Sequence, residues 1–198
     1  GAANPVAAGL TIADLAKGLG ISGMRVAAVE GDDVMAIAHQ VKWVKPVEGR
    51  LLGAHAYLGC VPMAEALEAG ADVVVTGRVA DSALFAAPVR QFLNKDPHAL
   101  AGALTVGHLL ECGAQVTGGY YADPGFKDLP DLAHVGFPIA QIESDGRCTL
   151  TKPAGTGGRI DAHTVKEQLL YEIDNPAAYI TPDVVADISA ASVTAVGP

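Results

Sequence analysis

The chain has 198 residues, of which 50% are apolar and 18% are charged, and its net charge is −9. This composition favours an extensive buried core and argues against disorder. The acidic balance, with no run of Lys and Arg, argues against a nucleic-acid partner. Cys60, Cys112 and Cys148 are widely spaced, so neither a zinc ribbon nor a disulfide framework is predicted. We expect a cytoplasmic protein with no membrane segment.

The first predicted elements alternate between helix and strand. Residues 5–19 carry apolar positions at helical spacing, and residues 24–29 form a short run typical of a buried strand. A helix over 61–70 then precedes the run "ADVVVTG" at 71–77. This β-branched run is typical of a strand that is buried on both faces.

The second half adds helices and a hairpin. Asp145-Gly146 separates two extended runs, which predicts a hairpin turn, and Thr164 with Glu167 has the spacing of a capping box. The further elements are helices at 82–93, with Asp81 before it and Pro88 inside it, 97–113 and 165–173, the hairpin at 137–152 and a strand at 183–189. The order predicts a single α/β domain over 1–198, with a layered, mostly parallel sheet flanked by helices and a β-hairpin extension.

Polar residues follow the two predicted strands at the ends where open α/β sheets bind ligands. Glu30, Asp32 and Asp33 follow the first strand, where Asp32 and Asp33 are candidates for a general base or for Mg²⁺ ligands. The alternatives are a solvated acidic turn, or Asp32 or Asp33 as the cap of the next helix. Arg78 and Asp81 follow the second strand. Arg78 could clamp a carboxylate or phosphate, and Asp81 could act as a base, a metal ligand or the cap of the next helix. The alternative is an Arg–Asp pair that orders the turn.

The stretch "GHLLECG" is a third candidate site. His108, Glu111 and Cys112 lie three and four positions apart, so they share one face of the predicted helix. His108 and Glu111 could act in catalysis, and Cys112 could be a nucleophile with His108 as its base. The alternative for Cys112 is a small buried residue near a helix end.

The glycine-rich stretch "TKPAGTGGRI" precedes the last predicted helix and is a candidate anion site. Backbone N–H groups of such a turn and of a helix start favour anions. The alternative is a tight turn, because neither GxxxxGK[ST] nor GxGxxG is present. The predicted ligand-binding residues are Lys152, Gly155, Thr156, Gly157, Gly158 and Arg159.

Four stretches of the chain resemble the acyclic terpene utilisation AtuA family. They are "VEGDD", "YLGCVPMAEALEAGADVVVTGRVADSAL", "GHLLECGAQVTGGYY" and "TKPAGTGGRIDAHTVKEQLLYEIDNPAAYITPDVVAD". Members of this family extend further at both ends, which implies that the chain is the incomplete core of a longer protein.

The resemblance implies a role in the breakdown of branched acyclic terpenes such as citronellol and geraniol, which proceeds through acyl-CoA intermediates. The related pathway includes a carboxylase, a hydratase and a lyase that act on branched thioesters. We therefore expect a lyase or hydratase of branched acyl-CoA or hydroxy-acid catabolism that binds an anionic or acyl-CoA ligand, with Mg²⁺ as a candidate cofactor. The alternatives are a non-catalytic subunit that binds acyl-CoA or a partner enzyme, and a nucleotide-binding protein. We also expect a homo-oligomer.

Overall fold

Two parallel strands lie at the centre of the first part of the chain in the computed structural model, which describes residues 1–197. Residues Gly1–Ala80 make up one compact unit, here unit 1, and a second, unit 2, begins at Asp81. The helices and strands of unit 1 are α1 (Pro5–Gly18), β1 (Val26–Val29), α2 (Val61–Glu68) and β2 (Val73–Thr76). All four were predicted from the sequence, within a few residues at each end.

The pairing of β1 with β2 sets the geometry of unit 1. The strands are parallel, with Val26 opposite Val73 and Val29 opposite Thr76. Helices α1 and α2 both pack against this pair. Their connection through α2 is the crossover that parallel strands require. The carboxyl ends of the two strands therefore meet at one edge of the pair.

Unit 2 is built around one long helix. Its elements are α3 (Ala83–Val89), α4 (Pro97–Glu111), β3 (Ile139–Ile142), β4 (Cys148–Thr151), α5 (Ala162–Leu170), β5 (Tyr179–Ile180) and β6 (Val185–Ala186). Helices α3 and α5 and strands β3 and β6 all pack against α4. A Cβ on Gly107 would lie 2.2 Å from the carbonyl oxygen of Ser82. Glycine at this position of α4 is therefore needed for the close approach of the α3 start.

The structure confirms a mixed α/β fold and corrects the predicted sheet. The predicted hairpin is present, since β3 and β4 are antiparallel with Ile142 opposite Cys148. Within residues 1–197, however, each sheet has only two strands, and only the pair of β1 and β2 is parallel. The later strands pair with each other in antiparallel fashion, β3 with β4 and β5 with β6, so a layered, mostly parallel sheet is not observed. The single domain stays a prediction.

Two predicted helix starts are wrong in detail. Helix α3 has Ser82 as its N-cap, without a side-chain capping bond, and Asp81 is exposed. Helix α5 starts at Ala162 because the Asp161 carboxylate accepts the N–H groups of His163 at 2.8 Å and Thr164 at 3.0 Å. The capping box therefore joins Asp161 to Thr164, and not Thr164 to Glu167.

Pro88 ends the regular part of the predicted helix at 82–93. Helix α3 stops at Val89, and a 3₁₀ turn follows at Arg90–Phe92. The break is the expected effect of a proline ring inside a helix. Among residues 1–197, no helix combines the length and apolar character needed to cross a membrane.

Candidate functional site

Unit 1 contains a contact between a buried carboxylate and a partly exposed imidazole. Asp32 is 5% exposed, and its Oδ2 lies 2.9 Å from Nδ1 of His55. The same oxygen accepts the backbone N–H of Arg78 at 2.8 Å. The His55 side chain is 40% exposed. The imidazole is thus held at Nδ1, and its other nitrogen, Nε2, is the one that could exchange a proton with a ligand.

Two backbone hydrogen bonds place His55 next to Asp32. The N–H of Val34 donates to the carbonyl of Ala54 at 2.9 Å, and the N–H of Ala56 donates to the carbonyl of Asp32 at 2.7 Å. These two bonds form a short antiparallel bridge between the chain after β1 and the chain before α2. The backbone therefore fixes the position of the His55 main chain, and the contact with Asp32 orients its ring.

The acidity of Asp32 follows from this environment. The N–H of Arg78 makes the largest contribution and lowers the pKa of Asp32 below its usual range. Burial acts in the opposite direction, and the hydrogen bond and charge of His55 add to the lowering. Asp32 is therefore a carboxylate at neutral pH, which suits a residue that holds an imidazole in one tautomer.

A small cleft opens beside this pair. Its volume is about 220 Å³. It is lined by Ala3, Asn4, Pro5, Glu30, Gly31, Asp32, Asp33 and His55. The predicted acidic residues Glu30, Asp32 and Asp33 thus line one cleft, together with a histidine that the sequence did not single out.

Arg78 occupies the end of β2, where the sequence placed it. Its guanidinium lies 4.8 Å from the centroid of the Tyr57 ring and also donates to the Tyr57 hydroxyl. A cation over an aromatic face is attracted by the ring quadrupole. The Arg78 side chain is therefore oriented by Tyr57, while its backbone N–H holds Asp32.

Asp32 and Asp33 have different partners although they are consecutive. The Asp33 carboxylate accepts the N–H of Met35 at 2.9 Å and is exposed. Across residues 1–197, there is no group of three or more His, Cys, Asp or Glu side chains that could hold a metal ion. Mg²⁺ binding by Asp32 and Asp33 stays a prediction.

His108, Glu111 and Cys112 lie together at the end of α4, in unit 2. His108 is 6% exposed, its Nε2 has no hydrogen-bond partner, and burial lowers its pKa. The Cys112 thiol donates to Oε1 of Glu111 at 2.9 Å. Burial and this glutamate raise the pKa of Cys112 to about 11. The thiolate is the reactive form of cysteine, so this environment does not activate Cys112 as a nucleophile.

The glycine-rich turn uses its backbone donors within the protein. The N–H groups of Gly157, Gly158 and Arg159 donate to the carbonyls of His134 at 2.8 Å, Pro130 at 2.7 Å and Thr117 at 2.8 Å, respectively. These donors are therefore not free for a ligand. The alternative interpretation, a tight turn, accounts for their arrangement.

The side chains flanking this turn are also engaged. Nζ of Lys152 donates to the carbonyl of Thr156 at 2.6 Å, and the Thr156 hydroxyl donates to the carbonyl of Pro153 at 2.7 Å. The Arg159 guanidinium pairs with Asp161 at 2.5 Å. Gly155 is exposed with a φ of +77°. Ligand binding by Lys152, Gly155, Thr156 and their neighbours stays a prediction.

His55 and Tyr57 are the site residues that sequence reasoning missed. They stand two apart in "GAHAYLG", in a stretch without regular secondary structure. The signal that could have linked them was their spacing, because residues two apart in an extended segment lie on the same side of the chain. Spacing along the chain does not connect either residue to Asp32 or Arg78.

The match to a known family covers the whole chain. Residues 1–198 match the family described as acyclic terpene utilisation family protein AtuA. The chain belongs to this family. The cleft beside Asp32 and His55 and the α4 segment with His108 are therefore both parts of the AtuA-family sequence. No curated protein and no solved structure matches the chain.

Proposed function

We propose that this AtuA-family chain is a catabolic enzyme that moves a proton on a branched acyl-CoA or hydroxy-acid substrate, as a lyase or hydratase does. The observation that carries the proposal is the 2.9 Å contact between the buried Asp32 carboxylate and Nδ1 of His55, at the wall of a cleft. A carboxylate that orients an imidazole is a common arrangement for general acid–base catalysis. The family's role in terpene utilisation supports a catabolic reaction.

His55 is the proton-transfer residue in this proposal. With Nδ1–H donated to Asp32, the lone pair on Nε2 removes a proton from the carbon next to the substrate carbonyl. The electron pair of that C–H bond forms a C=C bond as the β-hydroxyl leaves. The imidazolium then gives its proton to the departing hydroxyl, which leaves as water. Hydration is the reverse sequence.

Asp32 positions the imidazole and is not the base itself. Its Oδ2 already accepts two hydrogen bonds, and its lowered pKa makes it a weak proton acceptor. Its negative charge stabilises the imidazolium that forms when His55 takes the proton. This assignment replaces the direct proton transfer by Asp32, Asp33 or Asp81 that the sequence suggested.

Arg78 is the basic residue next to this contact, because its backbone N–H binds the Asp32 carboxylate. A guanidinium binds a carboxylate through two parallel hydrogen bonds, or stabilises the negative charge that develops on a carbonyl oxygen. Tyr57 restricts the rotamers of Arg78 through ring and hydroxyl contacts. A substrate that carries a carboxylate or a thioester is therefore the class that suits this residue.

Turnover of a panel of branched 3-hydroxyacyl-CoA and enoyl-CoA thioesters tests the proposal. We expect His55→Gln to lower kcat/KM by about 10²-fold to 10⁴-fold, the usual contribution of a general base. Asp32→Asn should lower it comparably, because the amide can stabilise the wrong tautomer. The matched control is His39→Gln, since His39 is an exposed histidine of the same unit. Wild-type activity in His55→Gln, or no turnover of any thioester by the wild type, would contradict the proposal.

A second candidate function is that of a non-catalytic, partner-binding subunit. The observation that favours it is a set of exposed apolar side chains in unit 1, where Trp43 is 43%, Leu52 is 84% and Val44 is 99% exposed. These side chains belong to one stretch of the chain, residues 43–52, and exposed apolar surface is available for a protein–protein contact. Full activity of a complex that contains His55→Gln would favour this function over the catalytic one.

A further inference from the structure

Unit 2 contains a large open groove that is separate from the cleft at His55. Its volume is about 1140 Å³, slightly above the usual range of about 300–1,000 Å³ for small-molecule sites. Helices α4 and α5, strand β4 and residues 190–197 form its walls. We refer to it as the α4–α5 groove.

The floor of the α4–α5 groove is apolar. Leu109 of α4 and Val165 and Leu169 of α5 line it and belong to the buried core of unit 2. Leu150 and Ile160 line it as well and are only partly buried. Such a surface favours an aliphatic chain, because burying methylene groups away from water is favourable.

Lys152 places a positive charge at this apolar surface. It lines the groove, its side chain is half-buried, and its Nζ contacts oxygens of Thr156 that carry no net charge. Within residues 1–197, Lys152 has no carboxylate partner, whereas Arg147 and Arg159 of the same groove are each paired with carboxylates. A half-buried charge without a counter-ion is unfavourable, so an anion at this position would be stabilised.

We propose that the α4–α5 groove binds an amphiphilic anion, an aliphatic chain that ends in a carboxylate or carries phosphate groups, with the anion at Lys152. Binding of such a ligand would use the apolar floor and the charge of Lys152. It requires no free backbone N–H in the glycine-rich turn. It is also independent of proton transfer at His55, because it concerns binding in unit 2 alone.

Equilibrium binding of chemically matched probes to the 198-residue chain tests this site. The probes are decanoate, decanol, decanoyl-CoA and CoA, measured by calorimetry. We expect decanoate to bind the wild type more tightly than decanol does. Lys152→Gln should weaken decanoate binding by about tenfold, as for the loss of one charge-assisted contact, and should leave decanol binding unchanged. The matched control is Lys166→Gln, an exposed lysine of α5 that does not line the groove.

A second variant separates the apolar contribution from the charge. Thr149 of β4 lines the groove and is half-buried, so Thr149→Phe should fill part of it and weaken decanoate and decanol alike. Tighter binding of decanoyl-CoA than of decanoate would indicate a thioester ligand, and the reverse order would indicate a free acid. The proposal is overturned if the wild type binds neither decanoate nor decanoyl-CoA, or if Lys152→Gln binds both of these probes with wild-type affinity. If Lys152→Gln does not fold, unchanged binding by Thr149→Phe overturns it.

Discussion

The carboxylate of Asp32 occupies the space that a side chain on Gly77 would need. A Cβ at Gly77 would lie 1.9 Å from Oδ1 of Asp32 and 2.3 Å from its Cγ. Gly77 directly follows β2 and precedes Arg78, whose N–H binds the same carboxylate. The glycine therefore allows the buried carboxylate to reach the end of the second strand, which is a requirement for the contact with His55.

Gly77→Ala should accordingly displace Asp32. We expect the free energy of unfolding to fall by about 1–3 kcal/mol, the usual cost of overpacking a buried site, and the activity proposed for His55 to fall with it. Urea denaturation measures the first effect. Gly18→Ala is the control, because a Cβ at Gly18 would meet no atom within 4 Å. Equal stability of the two variants would contradict this role of Gly77.

His108 should make the stability of the protein depend on pH between about 6.5 and its lower folded pKa. Burial lowers the pKa of His108 in the folded state, so the unfolded chain binds a proton at a pH at which the folded chain does not. The stability present above pH 6.5 is therefore progressively lost as the pH falls through this window.

Comparison of two histidine variants of α4 measures this contribution. His108→Gln should show a smaller loss of unfolding free energy between pH 7.5 and pH 5.5 than the wild type. His98→Gln should retain the wild-type loss, because His98 is exposed on the same helix. A pH dependence of His108→Gln equal to that of the wild type would assign the effect to other groups.

Cys112 should react slowly with alkylating reagents at neutral pH. Its pKa of about 11 leaves little thiolate, and part of this elevation comes from Glu111. Glu111→Gln removes a negative charge beside the sulfur, so the pKa should fall and alkylation should accelerate, by about tenfold for each unit of pKa lost.

Mass spectrometry of iodoacetamide-treated protein distinguishes the cysteines. Cys148 provides an internal control, since burial alone raises its pKa and Glu111→Gln should not change its rate. Acceleration at both cysteines would indicate general loosening of unit 2 instead of a local charge effect.

The sequence predicted local features well and long-range contacts poorly. The sequence predicted both strands of unit 1, and Asp32 and Arg78 were expected at one crevice if these strands were neighbours, as they are. His55 was missed because it reaches Asp32 through backbone bonds between segments 23 positions apart. The same physical reason applies to the glycine-rich turn, because the carbonyls that accept its N–H groups belong to distant positions such as Thr117 and Pro130. Composition and spacing indicate that a polar group is present, whereas its availability depends on partners that only the fold brings together.

Substitutions in the glycine-rich turn test whether its backbone is committed to contacts within the protein. A Cβ at Gly157 would lie 1.8 Å from the carbonyl oxygen of Asp131, which is backbone and cannot rotate away, whereas a Cβ at Gly155 would meet no atom within 4 Å. Gly157→Ala should therefore lower the free energy of unfolding by on the order of 2 kcal/mol. Gly155→Ala, at a φ of +77°, should cost about 1 kcal/mol from backbone strain alone.

A second test of the turn measures how inorganic phosphate changes Tm, the thermal midpoint of unfolding. If the N–H groups at 157–159 are committed to protein carbonyls, phosphate should raise Tm equally in the wild type, in Gly155→Ala and in Gly157→Ala. A rise in Tm that only Gly157→Ala loses would mean that the turn releases its internal hydrogen bonds to bind the anion. Such release would be costly, because the backbone carbonyls of His134, Pro130 and Thr117 would each lose an N–H donor and need another partner.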